Sequence, residues 1–302
     1  MRSGPLLVLI ACTLMVPACS DDRIAPAGAS GASASGSASG SFSSAPTVST
    51  TLPVDPDELA SRLQAAVDTF VADQDVRFSV VVVDLTTGAR AAHLSDRQVR
   101  SASLYKLYVA RELLRRIYDG ELRRDAPAGD TNGRTVDECL RAMIVVSDNA
   151  CGVAGLSIVG RGAQDAGLHR DGFVKTSLTA PQQTSADDVA LFLERTHDGT
   201  LLGVGHEAAT RELYQLLLAQ EVNDRLPLGL PAGTPIAHKT GDILQWAHDV
   251  GVITTPRGDV LLAVLSGPWP SPCCDADHPG EAERVAFGAI GELGRAVYDA
   301  VA

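Results

Sequence analysis

Strand-like runs stand at both ends of the patterned part of this chain and helical patterns fill its middle, and that order restricts the fold more than any other feature. Phe78-Ser-Val-Val-Val-Val-Asp-Leu85 is a continuous apolar run that ends in the turn Thr86-Thr-Gly-Ala89, and a short strand over 90–94 would close a hairpin through it. Further strands are expected at 236–239, 249–254 and 260–266, all in the last third of the 302 residues. Between them, Leu104, Leu107, Leu114 and Ile117 share one side of a helix that stops at Gly120, and Thr135-Val-Asp-Glu138 is a capping box opening a helix over 136–146. Segments 152–159, 187–196 and 207–219 continue the helical pattern. Helices at 55–72, with Asp55 as N-cap, and at 282–301 enclose the whole. A sheet must therefore be assembled from distant segments of an α/β chain, with the middle forming a helical lobe and a cleft where the two meet.

The first 54 residues read differently. Arg2 precedes an apolar run over 5–16, too short to span a bilayer, and Val16-Pro17-Ala18-Cys19 resembles the lipobox of bacterial lipoproteins, so 1–18 is expected to be a signal peptide and Cys19 to carry lipid. Residues 24–54 contain no charge and are dominated by Ala, Ser, Gly, Pro and Thr. These 31 residues would have a root-mean-square span of roughly 30 Å if flexible, so 19–54 is expected to be the lipidated cysteine and a disordered linker and 55–302 the folded domain. This places the protein outside the cytoplasm, membrane-anchored at the cell envelope. The net charge of −12 excludes nucleic acid as a partner and leaves the lipid as the means of membrane attachment.

Of the 25 basic residues only Lys106, Lys175 and Lys239 are lysine. Ser103-Leu-Tyr-Lys106 puts a hydroxyl and an amine three residues apart at a helix start, the spacing of a nucleophile beside its base, near unpaired N–H groups that stabilise an oxyanion. Ser147-Asp148-Asn149 lies at a junction between helices; it offers a proton-relaying hydroxyl and an amide, and read alone is equally an N-cap. His238-Lys239-Thr240-Gly241 on a strand offers an ammonium and a hydroxyl to a carboxylate, with a glycine for close approach. Lys175 has no such setting and is expected on the surface.

The ordered set S-x-x-K, S-D-N, K-T-G resembles the penicillin-recognising serine enzymes, most closely the class A β-lactamase-like branch, over 55–302. The resemblance implies an antiparallel sheet flanked by N- and C-terminal helices, an all-helical lobe and a cleft between them. It implies a serine hydrolase that forms an acyl-enzyme with a β-lactam or a D-alanyl-D-alanine-like peptidoglycan stem peptide, working as a monomer without cofactor. Ser103 would be the nucleophile, Lys106 its base and Ser147 the proton donor to the leaving nitrogen. The N–H groups of Ser103 and Asp242 would form the oxyanion hole. Asn149, Lys239, Thr240 and Gly241 would bind substrate, and His248 would stand where many relatives carry a carboxylate-binding arginine, unless it is structural beside Asp249.

One part of that pattern is missing. Class A β-lactamases carry a glutamate in an E-x-x-L-N loop between S-D-N and K-T-G, whereas here no glutamate occurs between Glu138 and Glu194 and the segment 172–185 is too short for the loop. Slow deacylation is expected, with Asp171 or Gln183 as the alternatives for positioning water. A penicillin-binding D,D-peptidase, or a noncatalytic envelope lipoprotein that binds or senses, are the competing functions; intact Ser103, Lys106, Ser147 and Lys239 favour the enzyme. The seven histidines show no metal-ligand spacing, so no metal is expected. Once Cys12 and Cys19 are set aside, Cys139, Cys151, Cys273 and Cys274 allow three disulfide connectivities, of which Cys139 with Cys151 is preferred because both flank S-D-N.

The N-terminal reading has a direct test. In cells that export the chain, the wild type should sediment with membranes and Cys19→Ser should be released; equal release of both would remove the lipid anchor.

Overall fold

Pro56 at the first helical position, with the Asp55 side chain accepting from the Asp57 amide at 2.9 Å, starts helix α1 (Pro56–Ala72). The computed structural model describes residues 54–269 and 281–302. The segment expected to be a signal peptide, Cys19, the expected linker up to residue 53, Cys273 and Cys274 lie outside the described residues. In chain order there follow β1 (Phe78–Asp84), β2 (Arg90–His93), β3 (Val99–Arg100), a 3-10 turn (Ala102–Leu104), α2 (Tyr105–Tyr118), α3 (Val136–Val145), α4 (Asn149–Val159) and α5 (Asp165–Arg170). The chain continues through β4 (Gln183–Thr184), α6 (Ala186–His197), α7 (Glu207–Leu218), α8 (Leu226–Gly229), β5 (Ile236–Ile243), β6 (Trp246–Thr255), β7 (Gly258–Ser266) and α9 (Glu281–Val301).

Five strands form one antiparallel sheet in the order β2-β1-β7-β6-β5, so the strand carrying K-T-G is at an edge. A separate two-stranded piece pairs β3 with β4. The sheet is covered on both faces. On one, Val80, Val82, Leu262 and Val264 pack with Leu59, Leu63 and Val67 of α1 and Ile290, Leu293 and Val297 of α9. On the other, Val81, Val83, Leu261 and Ala263 pack with Leu104, Leu107, Leu113, Met143 and Phe192 of the helical lobe. Two covered faces explain why β1 reads as an unbroken apolar run rather than an alternating one.

The capping box is present in full: Thr135 Oγ1 accepts from the Glu138 amide at 3.2 Å and Glu138 Oε2 accepts from the Thr135 amide at 2.8 Å. Helix α4 begins three residues earlier than its apolar pattern suggests, because the Asp148 side chain accepts from the Cys151 amide at 2.8 Å and caps it. Cys139 and Cys151 are disulfide-bonded and tie α3 to α4 across the S-D-N turn. Four short elements, β3, β4, α5 and α8, carry no periodicity long enough to be read from sequence.

Thr135→Ala removes the cap while leaving the packed face of α3 intact. It should lower stability by about 1 kcal/mol, or roughly 2–4 °C in thermal unfolding. An unchanged melting curve would show that the box contributes nothing.

Candidate active site

The site begins where the helical lobe touches the sheet edge. A Cβ on Gly241 would lie 3.0 Å from Leu104 Cγ and 3.2 Å from the Ser101 carbonyl oxygen. The glycine of K-T-G therefore admits the serine-bearing turn against β5, where sequence analysis expected it to admit substrate. Ser103 sits in the 3-10 turn rather than in the helix proper, and Lys106 follows one residue into α2. Ala102 and Ser147 both hold left-handed backbone, with φ of 45° and 57°. Side-chain-bearing residues rarely occupy that region, and where they do the surrounding contacts impose it.

Lys106 Nζ is surrounded by oxygen: Ser103 Oγ at 3.1 Å, Ser147 O at 2.5 Å, Ser147 Oγ at 3.2 Å and Asn149 Oδ1 at 2.8 Å. The side chain is fully buried, and burial pulls its pKa down to about 8 despite the nearby Asp242 and Asp148 charges. A neutral amine keeps two protons to donate and a lone pair that can accept from Ser103 O–H. Gly152 of α4 makes room for it, since a Cβ there would lie 2.6 Å from Lys106 Cε.

Lys239 Nζ donates to Ser147 Oγ at 2.9 Å and to the Thr240 carbonyl oxygen at 2.8 Å. Burial first, then the positive charge of Lys106, holds it well below the ordinary lysine range. Ser147 Oγ thus bridges the two lysines. Thr240 Oγ1 is buried without a protein partner. Asn149 commits its oxygen to Lys106, which leaves its Nδ2 protons for another acceptor.

A cleft of about 240 Å³ opens on Ser103, lined among others by Asn149, Asp242 and Ile243. Two of its walls were missed by sequence reasoning: Arg100 of β3 and Gln182 just before β4. Neither belongs to a motif; the β3–β4 pairing and the bond from the Ser101 amide to the Gln182 carbonyl oxygen bring them there. Asp242 Oδ1 accepts from Arg225 Nη2 at 2.6 Å, and the buried Arg225 lies 3.8 Å from the Phe287 ring centroid. His248 is a correction to the sequence reading. It is fully buried, its Nε2 donates to the Arg100 carbonyl oxygen at 2.7 Å and its Nδ1 accepts from the Ser266 amide at 3.1 Å. Burial pushes its pKa down to about 4, so it is uncharged at neutral pH and cannot replace an arginine as a carboxylate anchor. Lys175, half-buried, makes backbone contacts to Gln98 and Asp188 away from the cleft.

The β-lactamase enzyme family matches the chain over residues 58–301. The chain belongs to that family. It is 28% identical over 245 residues to β-lactamase FAR-1 of Nocardia farcinica, covering 71% of this chain and 78% of that protein. It is 30% identical over 224 residues to β-lactamase AST-1 of Nocardia asteroides, covering 63% and 71%. Among solved structures, PBP-A superposes with a TM-score of 0.67 at 22% identity, over 80% of this chain and 96% of that one. The ancestral class A β-lactamase GNCA gives 0.66 at 25% identity, over 79% and 99%. Family and fold together support a β-lactam-related serine hydrolase.

In this β-lactamase-family cleft, the one carboxylate among the lining residues described is Asp242. Asp165 is consumed by the short loop, accepting from Ser177 Oγ, the Leu178 amide and Thr179 Oγ1 at 2.7, 2.7 and 2.9 Å. Asp171 pairs with Arg111, two turns along α2 from the site. Gln183 spends its backbone on Ser177 and on the β3–β4 pairing, and it is Gln182 that reaches the lining.

With three lysines in the chain, ¹⁵N-lysine NMR resolves each Nζ. The Lys106 resonance should titrate with a midpoint of about 8. A midpoint in the ordinary lysine range, near 10.4, would show that burial does not neutralise it.

Proposed function

We propose that this protein is a serine hydrolase that takes β-lactams or D-alanyl-D-alanine-like amides through an acyl-enzyme at Ser103 and releases it slowly. The observation that carries the reading is the 3.1 Å contact between Ser103 Oγ and a lysine whose burial favours the neutral amine. As Ser103 Oγ bonds to the substrate carbonyl carbon, its proton passes to the Lys106 lone pair. The backbone N–H groups of Ser103 and Asp242 take the developing oxyanion. The proton then travels through Ser147, which touches both lysines, to the leaving nitrogen as the C–N bond breaks. Asn149 Nδ2 holds the substrate amide oxygen. Lys239 and the unpartnered Thr240 hydroxyl hold the substrate carboxylate, which supplies the countercharge that a buried ammonium lacks.

Hydrolysis needs a base that activates water. Asp242 is bound to Arg225, and neither Asp165 nor Asp171 reaches the cleft, so among the described residues the task falls to Lys106 or Ser147. Loss of a dedicated general base typically costs about 10²- to 10⁴-fold in such a step. On this reading the domain works at the envelope, held by the lipid on Cys19.

Intact-mass spectrometry with benzylpenicillin tests the proposal. The wild type should gain one acyl adduct that builds up within the mixing time and declines slowly, and Ser103→Ala should gain none. An adduct on Ser103→Ala, or no adduct on the wild type, rejects Ser103 as nucleophile. Release as fast as formation rejects the slow step.

A further inference from the structure

Most charged groups at the cleft are hydrogen-bonded within the protein. Lys106 and Lys239 are bonded to oxygens, and Asp242 is held by Arg225. Arg100 differs. It is half-buried on the cleft wall, its guanidinium carbon lies 5.5 Å from the Trp246 ring centroid, and among the described residues no carboxylate pairs with it. Its backbone is fixed on two sides, by the pairing of Arg100 with Gln183 and by the 2.7 Å bond from His248 to its carbonyl oxygen. A cation–π contact with an indole orients a guanidinium while leaving N–H groups that can meet a planar anion.

The position of Arg100 matters as much as its charge. Lys239, Gly241 and Ile243 share one face of strand β5: Gly241 lies against the Ser103 turn, and Ile243 is paired with Trp246, the ring that Arg100 faces. At the usual rise per residue, Lys239 and Ile243 are roughly 13 Å apart. An anion at Arg100 and a carboxylate at Lys239 therefore fall on opposite sides of the Ser103 hydroxyl. In a β-lactam or a D-alanyl-D-alanine end, the carboxylate belongs to the leaving side, so the Arg100 side faces the acyl part.

We propose that Arg100, held at cation–π distance from Trp246, is a specificity residue that binds a second anionic group, a carboxylate on the acyl part of the substrate. The inference rests on the acyl-enzyme reading above. In a protein of net charge −12, whose long-range field repels anions, a fixed local cation is what would let a dianionic substrate settle.

Three penicillins that differ at the acyl α-carbon separate the possibilities: carbenicillin carries a carboxylate there, benzylpenicillin a hydrogen and ampicillin an ammonium. Second-order acylation rates of the full chain should favour carbenicillin over ampicillin by about tenfold or more. Arg100→Gln should slow carbenicillin about tenfold and benzylpenicillin less than about twofold, and Arg100→Lys should recover part of the loss. An equal slowing of all three would assign Arg100 a structural role and overturn the proposal, as would an unchanged order. Should none acylate, the acyl-enzyme reading falls, and calorimetric binding of the same three compounds to Ser103→Ala with and without Arg100→Gln still decides Arg100: loss of carbenicillin binding alone supports it, equal binding overturns it.

Discussion

The buried amine of Lys106 is the contact on which the two halves of the molecule are aligned. It joins the Ser103 turn to Ser147 and Asn149 at the α3–α4 junction, and through Ser147 Oγ it reaches Lys239 on the sheet edge. A lysine can do this because its head is small and can lose a proton; a guanidinium would be permanently charged and broader than the gap that Gly152 leaves. Much of the surrounding structure keeps those oxygens in place. Asp148 caps α4 and pairs with Arg134 at 2.9 Å, the disulfide bridges the same turn, and Ser147 is held in left-handed backbone between them. Of these, the left-handed Ser147 backbone is locally unfavourable and would not be needed in a turn that merely connected two helices.

Crowding two lysines against one serine hydroxyl sets the electrostatic state of the cleft. A hydroxyl has one proton and two lone pairs, so Ser147 can accept from both amines or donate to one of them if that one is neutral. Burial and the mutual repulsion of Lys106 and Lys239 favour states with less than full charge. The bound Arg225–Asp242 pair adds little net charge nearby. Such a site is short of negative charge, a condition that a carboxylate-bearing substrate satisfies.

Sequence showed the fold class, the long helices and the K-T-G strand, because amphipathic stripes and an unbroken apolar strand survive in the order of residues. It also showed the motifs that converge, since Ser103 and Lys106 are neighbours in any helical turn. Arg100 and Gln182 were not legible. Their place depends on a two-residue strand pairing that has no period to read, between segments separated by the whole of α2 to α5. His248 misled for the opposite reason: its strand position was correct, but whether a histidine points a charge at a ligand or hides a neutral ring depends on burial. Gly241 taught a similar lesson, because a glycine signals a close approach without saying from which side.

The sheet order has a consequence for how the molecule comes into being. Residue 78 pairs with residue 266, and the central position of β7 joins the first hairpin to the K-T-G strand. Such pairings close very long loops, which makes for high contact order and late, concerted assembly. Ser103 and Ser147 are synthesised early, yet the wall they need arrives only with the last third of the chain. A ribosome-bound fragment would expose the valine-rich β1 without its partner β7, a sticky surface of the kind that chaperones cover. Topology, in other words, leaves the Ser103–Ser147 cluster without its sheet wall until these late strands have been made.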